Sequence, residues 1–353
     1  MAIPRFRVGV TRDMLSPDGP LRPADIGLDF LEKDERVVWE TLAAERRELA
    51  AGDVAAYDAL LVGRPRVTAE TLDGVERLVL VARFGVGYDN VDVEALTGSD
   101  VLLTITPEGV RRPVASAVMT FLLALSHRLL TKDRLIRTGR WAERLLHMGT
   151  GLAGKTLGVV GLGNIGREVL RLARPFDMVH LASDPHVRAQ DIEDIEEVGV
   201  ALVELEDLLR RADFVCITCS LTPATRHLID ATRLTLMKRT AYLINVARGP
   251  VVDQAALVAA LTEGRIQGAG LDVFEKEPID PHDPLLELEN VILAPHALSW
   301  TDECFRGIGR SACRSILAVA AGSVPEHVVN RDVLEKPGLE EKLRRHGQRK
   351  EAT

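Results

Sequence analysis

Short apolar, β-branched runs alternate with stretches whose apolar positions fall three and four apart along most of this chain. That alternation predicts strands and helices in turn, and so an α/β protein with parallel sheets. In the first third the candidate strands are RVGV, RVVWE, ALLVG, LVLVAR and VLLTI, with helical segments such as ADIGLDFLEK and NVDVEALTG between several of them. A second series starts near Lys155 with TLGVVG, MVHLAS, VALV, DFVCIT, AYLINVA, GAGLDVF and NVILAP. No repeat links the two series, yet both read as doubly wound units. Val114 to Leu146 is mostly helical in pattern and offers more apolar face than one small sheet needs, which points to a subunit contact. From Glu335 onward, EKPGLEEKLRRHGQRKEAT is highly charged and nearly free of large apolar residues, so a solvated helix or frayed end is expected.

Length and composition narrow the partners. The 353 residues suit two domains, and 46% hydrophobic with 27% charged is ordinary for a globular protein. The formal charge is −8 with no long basic block, a surface that repels phosphate backbones and anionic lipid. Neither nucleic acid nor a membrane is expected as a partner. MAIPRFRVGV is too short and too charged for a signal peptide, and its apolar part suits a strand. The longest apolar run, SAVMTFLLAL, stops at Ser126-His127-Arg128, well short of the roughly 18 to 20 residues of a membrane span. Four cysteines make no disulfide framework in a chain this long, and Cys216 and Cys219 in CITC would point to opposite faces of a buried strand. Reduced thiols in a cytoplasm are the expectation.

Two glycine loops differ in what they can hold. GLGNIG, Gly161 to Gly166, directly follows the strand TLGVV and opens the helical pattern REVLRLARPF. Gly161 permits the tight turn, Gly163 lets backbone amides approach a pyrophosphate, and Gly166 lets the helix pack on the strand. Asp184 ends the next strand 23 residues after Gly161, about where an acid grips the ribose hydroxyls of NAD. A carboxylate there repels a 2′-phosphate, so NAD (NADH) is expected and NADP is disfavoured, with Arg188 the residue that argues the other way. The second loop, FGVGYDN from Phe84 to Asn90, lacks the third glycine. Gly85 and Gly87 free adjacent amides at a strand end, which suits a small anion such as a carboxylate.

Three consecutive strands of the second series each end in one reactive residue. AYLINVARG ends with Arg248, GAGLDVFEKEP leads to Glu277, and VILAPH ends at His296. Ligands of a doubly wound sheet bind beyond the carboxyl ends of its strands, so all three can face one crevice. Singly each has a bland reading: a surface arginine, a loop glutamate, a capping histidine. Together they suit hydride transfer at a 2-hydroxy acid. A guanidinium holds a carboxylate and polarises a carbonyl, and an imidazole exchanges the hydroxyl proton. A carboxylate beside that imidazole favours imidazolium and keeps a proton available for reduction.

On GVGYDNVDVEA, RTGRW, KTLGVVGLGNIG, CSLTPATRHLI, LINVARGPVVDQAAL, GAGLDVFEKEP and NVILAPH, in that order, the chain resembles the D-isomer-specific 2-hydroxyacid dehydrogenase family. GSVPEHVVN and the N-terminal strands match more weakly. The resemblance implies an NAD-dependent enzyme acting on a small D-2-hydroxy or 2-keto acid such as glyoxylate or hydroxypyruvate, and a homodimer. It implies a flavodoxin-like substrate domain over 1–105 and 298–335 and a Rossmann NAD-binding domain over 106–297, with a cleft between them. The second would carry a helical dimerisation insertion at about 114–150, with a charged tail over 336–353 and hinges near Thr106-Pro107 and just after His296. It makes Arg248 the substrate-binding arginine, Glu277 the partner carboxylate and His296 the acid/base. Asp272 would meet the nicotinamide end of the cofactor, and Asn164, Ile165, Asp184, Cys219, Thr225 and Val246 would line its site beside the glycines. Val86 and Gly87 would receive the substrate carboxylate.

Some positions depart from the family. Thr218 and Ser220 stand where many members have His and Pro, and CSLTPAT is like the glyoxylate/hydroxypyruvate reductase branch. Ser116 replaces a common glutamate, a change with no physical account. In HALSW, Ala297 and Leu298 replace the more usual Ile and Gly or Ala after the histidine, so Leu298 would either narrow the substrate pocket or shift the local backbone. Two other activities share these motifs: an NAD-sensing corepressor, which a long Pro/Ser-rich tail would support and this chain lacks, and a dehydrogenase of phosphite. A formate-type enzyme would pair its histidine with glutamine, whereas this chain has Glu277.

Overall fold

A computed structural model describes residues 5–14, 26–43, 45–188, 190–191 and 199–347. The chain forms two compact units, Met1–Val110 with Trp300–Thr353, and Arg111–Ser299.

The first unit is built on β1 (Phe6–Val10), β2 (Val37–Thr41), β3 (Ala59–Val62), β4 (Leu80–Arg83) and β5 (Leu102–Thr104), all parallel in the order β2-β1-β3-β4-β5. The inner strands are buried on both faces, which is why they read as unbroken apolar runs. Helix Asp302–Ala320 covers one face with Ala312, Ile316 and Val319, spaced four and three apart. The returning segment is sewn to β5 by Asn330: its Oδ1 accepts from Leu103 N at 2.9 Å, and its Nδ2 donates to Val101 O at 2.9 Å.

Two expectations are corrected here. The pattern ADIGLDFLEK yields a helix only over Asp29–Glu32; Gly27, at φ 75°, breaks it, and residues 24–25 lie outside the described residues. The charged tail, as far as it is described, is a helix solvated on one face only. Pro337–Gly347 is a helix that buries Leu339, Leu343 and His346. Two leucines four apart suffice for a narrow apolar stripe, and Lys342 Nζ donates to the carbonyls of Leu78, Ser99 and Asp100 at 2.9, 2.9 and 3.3 Å. Burial pushes that amine down from its ordinary value. Residues 348–353 lie outside the described residues.

The second unit carries β6 (Thr156–Val160), β7 (Val179–Ser183), β8 (Val200–Leu202), β9 (Phe214–Ile217), β10 (Tyr242–Asn245), β11 (Gly268–Leu271) and β12 (Val291–Leu293). They are parallel in the order β12-β11-β10-β9-β6-β7-β8. The chain winds outward from β6 to β8, then returns to β9 and winds the other way, so β6 and β9 flank a topological switch point. The helical stretch comes in three pieces: helices Pro107–Ser126 and Leu129–Arg137, and a 3-10 turn Trp141–His147. The first begins seven residues before the apolar pattern does and runs through Pro113. Arg128, at φ 52°, breaks it from the second. Among the described residues no single helix is long and apolar enough to cross a membrane. Leu129, Leu130, Ile136, Trp141, Leu145, Leu146 and Met148 are all exposed on these pieces.

Candidate active site

The loop after β6 has the form its glycines demand. Gly161 sits at φ 95°, and a Cβ there would lie 2.6 Å from the Cys219 backbone, so the β6 and β9 loops touch at the switch point. At Gly166 a Cβ would lie 2.3 Å from Gly161 O, while at Gly163 it would meet open space. Gly163 is the N-cap of helix Asn164–Ala173 and brings no capping side chain. Among the described residues nothing accepts from the amides of Gly163, Asn164 and Ile165. Open room over Gly163 and a fan of free donors at a ten-residue helix N-terminus fit a dinucleotide pyrophosphate. Asp184 ends β7 beside this loop. Its Oδ2 accepts from Leu162 N at 2.8 Å and its Oδ1 from His186 N at 2.9 Å, which leaves lone pairs for ribose hydroxyls. Cys219 is half-buried, and burial pushes its thiol up to about 11. Thr225 turns its hydroxyl onto Ser220 O at 2.7 Å, and Val246, half-buried, follows β10.

Adjacent parallel strands bring their carboxyl ends together, and β10, β11 and β12 are adjacent. Arg248 follows β10; its Nη1 donates to Ala247 O at 2.7 Å, and Asn245 fixes the turn by donating from Nδ2 to Arg248 O at 3.0 Å. Glu277 lies beyond β11, with Oε1 accepting from Phe274 N at 3.0 Å. His296 lies beyond β12 at φ 54°, with its amide on Ala294 O at 3.0 Å. His296 Nδ1–H donates to Glu277 Oε2 at 2.7 Å. An ionised carboxylate has no proton to give, so Nδ1 carries it and Nε2 faces away from Glu277. Burial works to raise the Glu277 carboxyl. The hydrogen bond and charge of His296, the Phe274 amide and the charge of Arg248 outweigh it and hold the group below its ordinary value.

Asp272, at the end of β11, is only 4% exposed. Its Oδ1 accepts from Ala297 N at 2.9 Å and Leu298 N at 3.1 Å, so it fastens the two residues that follow His296. Burial raises its carboxyl, against the pull of those two amides. Leu298 is half-buried and packs on the apolar cluster that holds Ile292, Ala294 and Phe121. In the first unit Gly85 sits at φ 132° and donates to Thr106 Oγ1 at 3.1 Å, which fixes the loop after β4. Among the described residues nothing accepts from the amides of Val86 and Gly87. Asn245 and the amide cradle of Asp272 escaped the sequence reading. A buried asparagine closing an apolar strand was the one visible signal for the first.

Residues 119–297 match the profile of the D-isomer specific 2-hydroxyacid dehydrogenase NAD binding domain. A glyoxylate reductase of Thermococcus onnurineus is 41% identical over 324 residues, 89% of this chain and 96% of that protein. Among solved structures, D-lactate dehydrogenase from Aquifex aeolicus, complexed with NAD and lactic acid, superposes with a TM-score of 0.79 at 27% identity, covering 92% of this chain and 99% of that one. An NADPH-dependent glyoxylate/hydroxypyruvate reductase from Sinorhizobium meliloti does so with 0.77 at 28%, covering 93% and 99%. A dinucleotide loop at one switch point, three reactive strand ends beside it and this extent of likeness place the chain in the D-isomer specific 2-hydroxyacid dehydrogenase family, as an NAD(P)-dependent oxidoreductase.

Proposed function

We propose that this protein reduces a small 2-keto acid, glyoxylate or hydroxypyruvate, with NADH, and oxidises the D-2-hydroxy acid in reverse, with His296 as the acid/base. The observation that carries the assignment is the 2.7 Å bond from His296 Nδ1–H to Glu277, made at the end of strands that also present Arg248. Glu277 fixes the ring and its tautomer, which leaves Nε2 to give a proton to the forming alkoxide or take one from the hydroxyl. Arg248 binds the substrate and polarises its carbonyl with the fixed fork of its guanidinium donors. When bound, the nicotinamide supplies or accepts the hydride at C2. Gly163, Asn164 and Ile165 hold the pyrophosphate, Asp184 the ribose, and the Asp184 charge favours NADH over NADPH.

We place the protein in the cytoplasm as a homodimer. Four free thiols suit a reducing compartment, and the exposed apolar residues between Leu129 and Met148 suit a second copy. The test is steady-state turnover of glyoxylate, hydroxypyruvate and phenylpyruvate with NADH and with NADPH. His296→Ala is expected to lower kcat by about 10²- to 10⁴-fold and leave the NADH Kd within about twofold. Wild type that binds NADH but reduces none of the three acids overturns the assignment. A matching loss of NADH binding in the variant makes His296 structural instead.

A further inference from the structure

Two residues before Glu277 stands a second carboxylate with a histidine of its own. Glu275 Oε1 accepts from His227 Nε2–H in a short contact between side chains that are 34% and 41% exposed. The same histidine reaches the neighbouring loop, where its backbone amide donates to Pro250 O at 2.7 Å. Pro250 lies two residues after Arg248, so His227 holds the loop of Arg248 with its main chain and the loop of Glu277 with its ring. Other contacts close the same gap. The Glu275 amide donates to Gln254 Oε1 at 3.0 Å, and Gln254 Nε2 donates onward to Asp283 Oδ2 at 2.7 Å. Gly249 is pressed so closely that a Cβ there would lie 1.9 Å from the Phe274 carbonyl. Phe274 N in turn donates to Glu277 Oε1 at 3.0 Å. His227 also takes the left-handed backbone, at φ 51°, an uncommon conformation for a residue with a side chain.

We propose that His227 and Glu275 are positioning residues. Their bond locks the Phe274–Glu277 turn against the Arg248 loop, so that the Glu277 carboxylate is presented to His296 Nδ1 at hydrogen-bond distance while Arg248 keeps its place. This rests on reading Arg248, Glu277 and His296 as the reacting set. An exposed side-chain hydrogen bond that served stability alone would leave turnover unchanged when removed, because it touches none of the reacting groups.

The test uses Glu275→Ala, Glu275→Gln, His227→Asn and the double variant Glu275→Ala/His227→Asn. Glutamine keeps an oxygen for His227 Nε2–H. Asparagine tolerates the left-handed backbone and is too short to reach Glu275. Glu275→Ala and His227→Asn are each expected to lower kcat about 10-fold, with KM and NADH Kd within about twofold. The double variant should be no worse than either single one, and Glu275→Gln should recover most of the loss. Amide exchange at Phe274, read by mass spectrometry, should speed up in Glu275→Ala and stay slow in Glu275→Gln. Unchanged kcat with unchanged exchange, additive losses, or losses that follow a falling Tm with Gln no better than Ala would overturn the proposal. Should wild type reduce no 2-keto acid, the functional reading fails by itself and exchange at Phe274 decides the tie: faster in Glu275→Ala supports it, unchanged overturns it.

Discussion

Asp272 and Glu277 are both buried enough to feel desolvation, yet they are pushed in opposite directions. At Asp272 burial, helped by the charge of Glu277, outweighs two amides and the charge of His296, so its carboxyl is raised above its ordinary value. For such a group the folded state prefers the proton, and stability is lost as pH rises through the ordinary carboxylate range toward the raised value. Asp272→Asn keeps an oxygen for the Ala297 and Leu298 amides and removes the buried charge. It is expected to melt at or above the wild-type temperature at neutral pH, a gain that shrinks in acid as wild type protonates; thermal melts at two pH values read this. Asp272→Ala orphans both amides and should cost about 1–3 kcal/mol. Glu277 has the opposite sign: its stabilising contribution is present above the ordinary carboxylate value and lost as pH falls through the lowered one. At this scale the position of Arg248, Glu277 and His296 beyond neighbouring strand ends was legible because each follows closely on an apolar run. The bond of His227 to Glu275 was not, since each alone is an ordinary polar surface residue and the two stand 48 residues apart.

At the scale of elements, the twelve strands among the described residues were visible as short apolar runs, and the inner ones, buried on both faces, carry no polar alternation. Helix ends were harder. The apolar pattern suggested a start at Val114, but helix Pro107–Ser126 continues through Pro113, and Arg128 breaks it at a residue no turn rule marks. In GAGLDVF the glycines look like weak strand formers, yet Gly270 is where that helix lands: a Cβ would sit 2.7 Å from the root of the Phe121 ring. Gly270→Ala is therefore expected to destabilise by about 1–3 kcal/mol through overpacking. Gly52→Ala, in open space on helix Ala51–Val54, should gain about 0.4–1 kcal/mol. Chemical denaturation of the two variants beside wild type checks both signs.

At the scale of the whole molecule, two open sheets with different strand orders come from one chain with no internal repeat. The pattern of runs showed that there were two, but strand order was not legible, since it depends on where each crossover returns. The exposed apolar side chains between Leu129 and Met148 were legible only as a surplus. Replacing both Leu145 and Leu146, 74% and 73% exposed, with Asp should convert a dimer to monomers in sedimentation velocity without lowering Tm in proportion. Wild type that already sediments as a monomer rules the dimer out. One feature of the site bears on the protein's history rather than its chemistry. His296 sits at φ 54°, in the left-handed region that asparagine and aspartate tolerate better than other residues with a side chain. In the genetic code both are single-base neighbours of histidine. On the role proposed for His296, a descendant with no proton carrier and a more relaxed backbone at this position lies one mutation away, its glycine loop unchanged. The fold can outlive its reaction.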